Sequence, residues 1–485
     1  MIWDVCIIGG GVIGCAIARE LARYDLSIIV LEKHSDVSEG TSKANSAIVH
    51  AGYDAEPGTA KARLNVAGNH LFEDWCQELE VPFRRNTSLV VIFSADELPK
   101  LQALLARGQQ NGVPGLSIIG QAELRDREPQ LAPEACYALL AESGGICSPY
   151  ELTIALAAQA AINGAEIRLN TKAKQVCRQE NKFMIQTTQG SLESRILVNA
   201  AGVYADVINN QLSSDKFTIT PRRGEYWMID KTFGQSFSST IFQLPTATGK
   251  GILVTPTVEG TVILGPTSED IRDREDVRTT AVKLAEILRT AARTWPEIPD
   301  KSFITTFAGI RAHTDRGDFI LGESSDVPGL INAAGIESPG LTAAPAIAAE
   351  LSALAAGRLG ARRKPVYLPA WPAARCFRTM DTAGRQEAIA EDPLFGRIVC
   401  RCEQVSEAEI RAAIRRPIGA TTLDGIKRRT RAGMGRCQGG FCTPRVLSIL
   451  SEELGVSPLE ITKFGGSSRI LAGQVGEAWP GGSHE

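Results

Sequence analysis

The amino-acid sequence predicts an α/β protein built from more than one domain. The chain has 485 residues, which is more than the roughly 100–200 residues of a typical single domain. A strand–helix–strand pattern opens the chain, short apolar strand-like segments occupy its middle, and a cysteine-containing region with helix signals follows near its end. We therefore expect an α/β domain, an α+β domain with a mixed sheet, and a small helical C-terminal domain.

The overall composition is typical of a soluble globular protein, with 44% hydrophobic and 22% charged residues. The net charge of −3 gives no reason to expect a nucleic-acid or membrane partner. The chain begins with a strand pattern, so we expect no signal peptide and a cytoplasmic location. The longest apolar run, from Leu341 to Ala356, contains Pro345 and Glu350, and we expect it to be too short for a transmembrane helix.

The opening segment has the pattern of a dinucleotide-binding βαβ unit. Residues 3–8 are a short apolar strand, the run GGGVIG from Gly9 to Gly14 matches G-x-G-x-x-G, a helix follows, and a second strand ends at Glu32. Glycines let the backbone approach a pyrophosphate, the helix N-terminus favours the phosphates, and Glu32 is placed to bind a ribose. The pattern fits NAD or FAD; its position at the start and the small polar segment 38–52 favour FAD. The predicted contacts are Gly9, Gly11, Val12, Ile13, Gly14, Glu32, Lys33, Thr41, Ser42, Asn45 and Ser46.

Four cysteines near the C-terminus have the spacing of an iron–sulfur site. Cys400 and Cys402 are separated by one residue, and Cys437 and Cys442 by four, in a run rich in glycine and arginine. Structural zinc sites usually use C-x2–4-C pairs, so the tighter first pair favours a [2Fe-2S] cluster, with zinc as the alternative. A two-electron and a one-electron carrier in one chain indicate electron transfer. The other seven cysteines are predicted to be ordinary reduced thiols.

The cysteine region also has recognisable helix signals. Ser406 and Glu409 form a capping-box pattern for one helix, and residues 421–430 predict a second helix. Arg431 and Arg436, with N–H groups of nearby glycines, are expected to offset the negative charge of a cluster. The basic run 427–431 is explained by the cluster or by an acidic partner surface, rather than by nucleic acid.

Five stretches resemble the D-amino-acid-oxidase-like FAD-dependent oxidoreductases, specifically L-2-hydroxyglutarate and glycerol-3-phosphate dehydrogenases. They are residues 4–21, 42–64, 198–202, 221–226, and 309–311 with 335–342. The stretch 398–442 resembles the bacterioferritin-associated-ferredoxin-like [2Fe-2S] domain of anaerobic glycerol-3-phosphate dehydrogenases and some opine-oxidising flavoproteins. Because simple hydroxyglutarate oxidases lack that domain, while stretches 42–64 and 221–226 look more like those enzymes, the two halves indicate different substrates.

The resemblance implies a discontinuous Rossmann-like FAD-binding domain, a mixed-sheet substrate domain with strands near 88–94, 251–255 and 261–265, and a small helical cluster domain. The expected boundaries are FAD-binding segments at about 1–75, 145–215 and 305–360, substrate segments at about 76–144 and 216–304, a linker at 361–395, the [2Fe-2S] domain at 396–465, and a flexible tail at 466–485.

The resemblance also implies further FAD contacts. The helix that begins near Leu341 would aim its N-terminus at the pyrimidine end of the flavin, where reduction deposits negative charge; a plain turn is the alternative for residues 335–340. The implied contacts are Val176, Ala200, Ala201, Gly202, Gly309, Arg311, Gly335, Glu337, Ser338, Gly340, Leu341 and Thr342.

Oxidation of an alcohol needs a base near the hydroxyl group. Of the five histidines, His50 and His313 are the candidates, with a hydrogen-bonded core histidine as the alternative for His50. His313 shares a strand face with Arg311, since residues i and i+2 point the same way. Arg311, and after it Arg223, is predicted to bind an anionic group, with a solvated surface arginine as the alternative, and Tyr226 to wall the site.

We therefore expect an FAD-dependent dehydrogenase for the secondary alcohol of a small anionic substrate, either sn-glycerol 3-phosphate or an L-2-hydroxy acid. Electrons would pass through the [2Fe-2S] cluster to an external acceptor, a protein subunit or a quinone, because no second glycine loop for NAD is found. Such a partner would make the protein a hetero-oligomer, in the cytoplasm or peripheral to the membrane. The alternatives are oxidation of an amino-acid or opine C–N bond, and a non-catalytic electron-transfer subunit.

Overall fold

The computed structural model describes residues 2–244, 251–368 and 375–473. The chain divides into two compact units, of which the first comprises residues 1–32 and 37–372 and the second residues 33–36 and 373–485. Parts of the predicted linker (369–374) and of the predicted tail (474–485, with His484) lie outside the described residues.

The strands of the first unit, in chain order, are β1 (Ile2–Ile8), β2 (Ile28–Leu31), β3 (Ile48–Val49), β4 (Phe83–Arg85), β5 (Ser88–Ile92), β6 (Leu116–Gly120), β7 (Tyr137–Ala141), β8 (Gly145–Cys147), β9 (Glu166–Arg168), β10 (Ala173–Gln179), β11 (Lys182–Thr187), β12 (Gly190–Asn199), β13 (Ile219–Ile229), β14 (Thr240–Gln243), β15 (Leu253–Pro256), β16 (Val262–Gly265), β17 (Glu269–Asp270), β18 (Phe303–Thr314), β19 (Ile320–Glu323) and β20 (Leu330–Ala334). Its helices are α1 (Val12–Leu21), α2 (Ala60–Glu78), α3 (Leu98–Gln110), α4 (Gln121–Arg127), α5 (Pro149–Ile162), α6 (Ala205–Asn209), α7 (Ala281–Ala291) and α8 (Gly340–Leu359).

One sheet of this unit contains the predicted βαβ motif. Its strands run in the order β10-β11-β12-β1-β2-β9, with β20 beside β12 and β19 beside β20. The pairs β1–β12, β1–β2, β2–β9 and β12–β20 are parallel. β2 and β20 are buried along their whole length, as expected for parallel strands covered on both faces. The glycine loop follows the carboxyl end of β1, where open α/β sheets bind their ligands.

A second, nine-stranded sheet forms the other layer. Its order is β17-β13-β16-β15-β14-β5-β7-β6, and β18 pairs with β13 along a long antiparallel ladder. The three predicted substrate-domain strands are present as β5, β15 and β16. β18 also belongs to this sheet, although the sequence placed residues 305–314 with the FAD-binding segments. A smaller three-stranded sheet has the order β3-β8-β4.

α8 is the only helix in the described ranges that is long and apolar enough to cross a membrane, judged by length and composition. Of its most apolar stretch, 67% is buried inside the protein, which is the pattern of a core helix. The expectation that this run is too short was therefore wrong, because Pro345 lies within the helix and does not end it.

The second unit contains α9 (Thr382–Glu391), β21 (Ile398–Cys400), β22 (Val405–Ser406), α10 (Glu407–Arg415), α11 (Leu423–Thr430) and α12 (Thr443–Leu454). The predicted capping box at Ser406 and Glu409 begins α10, and the predicted second helix is α11. α9 lies inside the segment that the sequence predicted to be a linker. The core of this unit includes Ile410, Ile426 and Leu450, together with Cys400 and Cys442.

Candidate functional site

The glycine loop between β1 and α1 depends on glycine for its close packing. Gly9 has a φ of +114°, and a Cβ atom there would lie 2.3 Å from the Ala200 carbonyl oxygen. A Cβ atom at Gly14 would lie 2.0 Å from the Gly9 carbonyl oxygen. Side chains at these positions would collide with backbone, so the loop can pass from β1 into α1 only with glycine.

The N-terminus of α1 fits a diphosphate. Gly11 is its N-cap and provides no side-chain cap, while the Val12 N–H donates to Ser42 Oγ at 2.9 Å. The Ser38 hydroxyl is buried without a hydrogen-bond partner among the described residues, and the Ser38 N–H donates to the Gly10 carbonyl. Exposed N–H groups, the positive end of the helix dipole and an unused hydroxyl are the donors that phosphate oxygens accept.

Glu32 lies beside the same loop, because its Oε2 accepts a hydrogen bond of 2.7 Å from the Gly10 N–H. This places the carboxylate at the end of β2, as the ribose-binding prediction requires. Lys33, the next residue, belongs to the segment 33–36 that clusters with the second unit.

Residues 41–46 lie against β18. Thr41 Oγ1 donates to the Ile310 carbonyl at 2.5 Å, and Asn45 Nδ2 donates to the carbonyls of Thr41 and Ser42. Gly309 is needed at this crossing, since a Cβ atom there would lie 1.9 Å from the Ala44 carbonyl oxygen. The structure thus brings the predicted residues of this segment together with Gly309.

The other implied FAD contacts lie at several places in the first unit. Ala200 packs against Gly9, and Gly202 has a φ of +56° with open space where a Cβ atom would project. Gly335 also has a positive φ, of +64°, and lies against Thr314. Val176 belongs to a buried apolar cluster with Ile8 and Leu31, and its N–H already donates to the Gln211 side chain at 2.9 Å. The remaining implied contacts on these segments are Ala201, which follows Ala200, and Leu341, in the first turn of α8.

His50 is anchored to the start of α8. Its N–H donates to Thr342 Oγ1 at 2.8 Å, and its carbonyl accepts from Asn69 Nδ2 at 3.0 Å. The ring nitrogen Nε2 lies 3.1 Å from Ser338 Oγ, and the ring packs against Phe242 with centroids 6.0 Å apart. The predicted residues His50, Ser338 and Thr342 are therefore neighbours.

His313 is oriented by Glu337. His313 Nδ1 lies 3.1 Å from Glu337 Oε1, which also forms an ion pair of 3.1 Å with Lys61 Nζ. Burial acts to raise the pKa of Glu337, but the charge of Lys61 and the hydrogen bond with His313 hold that pKa below its usual value. An ionised carboxylate can only accept, so Nδ1 carries the hydrogen in this contact.

Arg311 lies on the same face of β18 as His313, and not all of its N–H donors have a hydrogen-bond partner among the described residues. Its Nη2 donates to the Thr267 carbonyl at 2.8 Å, and its Nε is buried without a partner among the described residues. Buried guanidinium donors are normally satisfied. An anionic group would satisfy this one, with the paired hydrogen bonds that arginine offers to a carboxylate or phosphate.

Tyr226 lies on the same side of the β13–β18 ladder. Its ring stacks on Phe307 with centroids 4.5 Å apart and an interplanar angle of 7°. Burial raises the pKa of Tyr226, and the charge of Arg311 and a hydrogen bond with Ser46 reduce that rise. Tyr226 is thus buried on the Arg311 side of the ladder, and its role as a wall of the site stays a prediction.

The structure does not place Arg223 with this group. Arg223 is held by Glu269 at 2.8 Å and by Asp276 at 2.9 Å. It points to the opposite face of β13 from Tyr226, because successive side chains alternate along a strand. The assignment of Arg223 as a substrate ligand is corrected accordingly: its guanidinium serves an internal ion-pair network.

Arg222 is the residue that the sequence reasoning missed. It lies directly opposite Arg311 in the β13–β18 register, so the two side chains share a face. Its guanidinium donates to both carboxylate oxygens of Asp270, at 2.6 and 3.1 Å. The Arg222 hydrogen bond, with the nearby positive charges, lowers the pKa of Asp270.

In the second unit the four cysteines lie together as two pairs. The sulfurs of Cys402 and Cys437 are 3.7 Å apart, and Cys400 forms a hydrogen bond with Cys442. No three His, Cys, Asp or Glu side chains of the described ranges converge on one metal ion. Two thiolates for each of two irons fit this pairing.

Backbone N–H groups surround the sulfurs. The Cys442 hydrogen bond, with N–H groups of Gly433 and Glu403, lowers the pKa of Cys400 to about 6. The pKa of Cys437 is also lowered, first by the N–H group of Phe441. The N–H donors stabilise the thiolates of Cys400 and Cys437, whereas the hydrogen bond with Cys400 and burial raise the pKa of Cys442.

The basic run 427–431 is turned inward rather than toward a partner. Arg428 and Arg429 bind the carboxylate of Asp36, which belongs to the same unit, and Arg431 donates to Glu403 Oε2 at 2.9 Å. The side chains of Arg429 and Arg431 are buried. An acidic partner surface is therefore not needed to explain this run.

Comparison with known proteins agrees with both halves of the predicted resemblance. Residues 4–354 match the family model of FAD dependent oxidoreductases (DAO), and residues 398–452 match the BFD-like [2Fe-2S] binding domain. FAD and a [2Fe-2S] cluster are the cofactors of these two families, and the residues described above fit both.

Three similar proteins illustrate the relationship. The chain is 47% identical over 472 residues to a glycerol 3-phosphate dehydrogenase of Caloramator mitchellensis, which covers 97% of this chain and 98% of that protein. It is 28% identical over 400 residues to the mitochondrial L-2-hydroxyglutarate dehydrogenase of Arabidopsis thaliana, with 72% of this chain and 82% of that protein covered. The dithionite-reduced L-alpha-glycerophosphate oxidase of Mycoplasma pneumoniae with FAD bound has a TM-score of 0.72 at 31% identity, over 77% of this chain and 100% of that chain.

Proposed function

The chain belongs to the FAD-dependent oxidoreductase (DAO) family and carries a BFD-like [2Fe-2S] domain, and from this we propose that it is a dehydrogenase of sn-glycerol 3-phosphate. One observation carries the choice of substrate. A relative that covers 97% of this chain, at 47% identity, is named a glycerol 3-phosphate dehydrogenase. In this proposal the electrons leave through the cluster to an external acceptor.

The charges of the site support a doubly charged substrate group. Arg311 has an unpartnered buried Nε, Arg222 lies opposite it, and His313 lies two residues along the same strand. A phosphate has three terminal oxygens and about two negative charges at neutral pH, which suit several cationic or neutral donors at once. Arg311 binds this group in the proposal, and His313 and Arg222 border it.

The FAD of this family, when bound, supplies the acceptor for the hydride of the alcohol carbon. His50 takes the hydroxyl proton at Nε2, where the substrate hydroxyl replaces the contact with Ser338 Oγ. The hydrogen bonds of the His50 backbone to Thr342 and Asn69 keep the imidazole in position before the substrate arrives. Tyr226 and Phe307 form an apolar wall that shields the polar groups from water.

An L-2-hydroxy acid is the second candidate, because the chain is also similar to an L-2-hydroxyglutarate dehydrogenase over 72% of its length. Arg311 would then bind a carboxylate. The reaction at the alcohol carbon is the same, so the two candidates differ only in the anionic group.

Anaerobic titration of the purified flavoprotein separates these functions. We expect sn-glycerol 3-phosphate to bleach the visible flavin absorption, while L-2-hydroxyglutarate, amino acids and opines leave it unchanged. Bleaching by L-2-hydroxyglutarate alone would establish the second candidate, and bleaching by an amine would place the protein with C–N oxidising enzymes. A flavin that no compound bleaches, yet that a reduced partner protein reduces, would identify a non-catalytic subunit.

A further inference from the structure

We propose that the surface beside the cluster cysteines docks an acidic electron-acceptor protein. This cluster surface is defined by Phe441, Arg401 and Arg436. The inference rests on the proposed exit of electrons through the cluster, but it does not depend on which substrate reduces the flavin.

Phe441 is exposed in a way that the fold does not require. It is 85% exposed, the highest value among the large hydrophobic residues that the structure describes as exposed. It lies between Cys437 and Cys442, and its N–H group donates to the Cys437 sulfur. A phenyl ring in water contributes nothing to the core of this unit, whereas an exposed aromatic anchor is typical of protein interfaces.

The position of Phe441 suits electron exit. Its backbone is bonded directly to Cys442 and hydrogen-bonded to Cys437, which are members of the two different sulfur pairs. A partner that covers this ring therefore approaches thiolates of both pairs at once. Electron-transfer encounters use small interfaces, often below about 1,200 Å², so one aromatic anchor with a few charges is enough.

The exposed charged residues of the cysteine segments 399–404 and 432–443 are arginines. Arg401 stands between Cys400 and Cys402, and Arg436 precedes Cys437; both are exposed. The one carboxylate in the cysteine segments 399–404 and 432–443 is Glu403, which is buried and paired with Arg431.

Charge complementarity then selects the partner. Arg428, Arg429 and Arg431 of the basic run bind Asp36 and Glu403. Arg401 and Arg436 are exposed beside the cysteines. An acceptor with carboxylates around its redox centre would be steered to this surface, and a basic acceptor would be repelled. Each transfer moves one electron from the reduced cluster to the acceptor, so a ferric haem becomes ferrous while the cluster is oxidised, with no bond made or broken.

Two haem proteins of opposite charge test the docking surface. The reduced holoenzyme is mixed in a stopped-flow instrument with the acidic haem domain of cytochrome b5 or with basic cytochrome c. We expect the double variant Arg401→Glu/Arg436→Glu to slow reduction of cytochrome b5 by about tenfold or more, to abolish its salt dependence, and to accelerate reduction of cytochrome c. Phe441→Ala should slow cytochrome b5 reduction severalfold at every salt concentration.

Matched variants and a binding measurement complete the test. Phe464→Ala and Arg469→Glu change an exposed aromatic and an exposed arginine of the same unit and should behave as wild type. The electron paramagnetic resonance spectrum of the reduced cluster should be unchanged in all variants. Nuclear magnetic resonance shifts of labelled cytochrome b5, titrated with oxidised holoenzyme, should be lost with the double variant.

Three outcomes would overturn the docking surface. One is unchanged reduction of cytochrome b5 by both the Phe441 and the arginine variants. Another is slowed reduction of the cluster by the flavin, which would mean that the surface serves electron entry. The third is rapid transfer to a ubiquinone analogue in vesicles that depends on Phe441 while transfer to cytochrome b5 does not. Reduction with dithionite instead of substrate keeps the test valid if sn-glycerol 3-phosphate proves not to be the substrate.

Discussion

Arg311 and Arg222 lie opposite each other on the paired strands β18 and β13, but their guanidinium groups have different hydrogen-bond partners. Arg222 donates twice to Asp270, whereas Arg311 uses one donor on a carbonyl and leaves its buried Nε without a partner among the described residues. A buried donor without an acceptor is costly, so Arg311 gains more from an arriving anion. We therefore assign the main anion contact to Arg311.

Arg311→Ala should weaken binding of the anionic substrate by about 2–4 kcal/mol, because a buried charge pair loses one partner. This corresponds to a rise in KM of roughly 30- to 700-fold. Steady-state kinetics with an artificial acceptor give this value. Arg316→Ala removes an exposed arginine near the end of the same strand and should leave KM unchanged; equal KM values for both variants would remove Arg311 from the site.

The two histidines should differ in the kinetic parameter that they affect. His50→Gln should lower the rate of flavin bleaching at saturating substrate by about 10²- to 10⁴-fold, the usual contribution of a general base. His313→Gln should mainly raise KM, because His313 lies on the strand face of the anion-binding arginine. Single-turnover bleaching at several substrate concentrations separates the two effects, and the reverse pattern would make His313 the base.

Glu337 should make the protein more stable in a pH-dependent way. Its pKa in the folded protein lies below the ordinary value of 4.5, so the ionised form stabilises the native state. That stabilisation is complete above pH 4.5 and is lost as the pH falls through the lowered pKa. Glu337→Gln should therefore cost about 1–3 kcal/mol of unfolding free energy at pH 7, and the difference should shrink below pH 4.5.

Urea unfolding of wild type and Glu337→Gln at pH 7, 5.5 and 4 measures this difference. Glu134→Gln, which changes an exposed carboxyl group, serves as the control. A difference that stays constant down to pH 4 would contradict the assignment of an ionised, ion-paired Glu337.

Helices α2 and α8 approach each other closely where His50 is anchored. At Gly68 of α2 a Cβ atom would lie 2.1 Å from the carbonyl oxygen of Thr342, which is in the first turn of α8. The backbone oxygen cannot move aside as a side chain can. The side chain of Thr342 holds the His50 N–H, so the crossing of two helices determines the position of a candidate catalytic residue.

Gly68→Ala should therefore destabilise the protein by about 1–3 kcal/mol and lower its FAD content. Gly357→Ala is the matched change in α8, where a Cβ atom would meet nothing within 4 Å. It should stabilise the protein by about 0.5–1 kcal/mol, because alanine is the better helix former. Thermal unfolding and the ratio of flavin to protein absorbance measure both effects; equal behaviour of the two variants would contradict the close contact.

Several helices and strands could be predicted from local patterns in the sequence. The glycine loop with its flanking strands, the strands β5, β15 and β16, and the capping box of α10 each depend on residues within a few positions of one another. α9 was missed because residues 382–391 are mostly small or polar, without an apolar stripe of helical period. The prolines and the basic cluster before it are typical of a linker.

Pairings between distant residues were not available from the sequence. The pair Arg222-Arg223 contains one residue for each face of β13, and alternation alone does not say which face meets the substrate. The pairing of β13 with β18 determines which of the two arginines shares a face with Arg311. This pairing joins residues that are nearly 90 positions apart, such as Arg222 and Arg311. Likewise, the inward direction of Arg428 and Arg429 follows from Asp36, which is 392 and 393 positions away.

Each apolar cluster formed by the described residues lies within one unit or the other. The core of the cluster unit consists of residues between Cys400 and Ile461, and the clusters that hold the two large sheets contain residues of the first unit alone. The residues that fit FAD and the cysteines that fit the cluster therefore depend on different packing. Loss of one cofactor should leave the other bound.

Cys437→Ser tests this independence. Serine replaces a thiolate that pairs with Cys402 at 3.7 Å, so one iron loses a ligand and the [2Fe-2S] cluster should not assemble. We expect elemental iron to fall toward zero while the flavin remains and is still bleached by substrate in a single turnover. Turnover with a one-electron protein acceptor should be lost, because the electrons received by the flavin cannot leave through the cluster.

Cys177→Ser, at an exposed cysteine of the first unit, should retain iron, flavin and turnover. Joint loss of flavin and iron in Cys437→Ser would show instead that the two units fold as one.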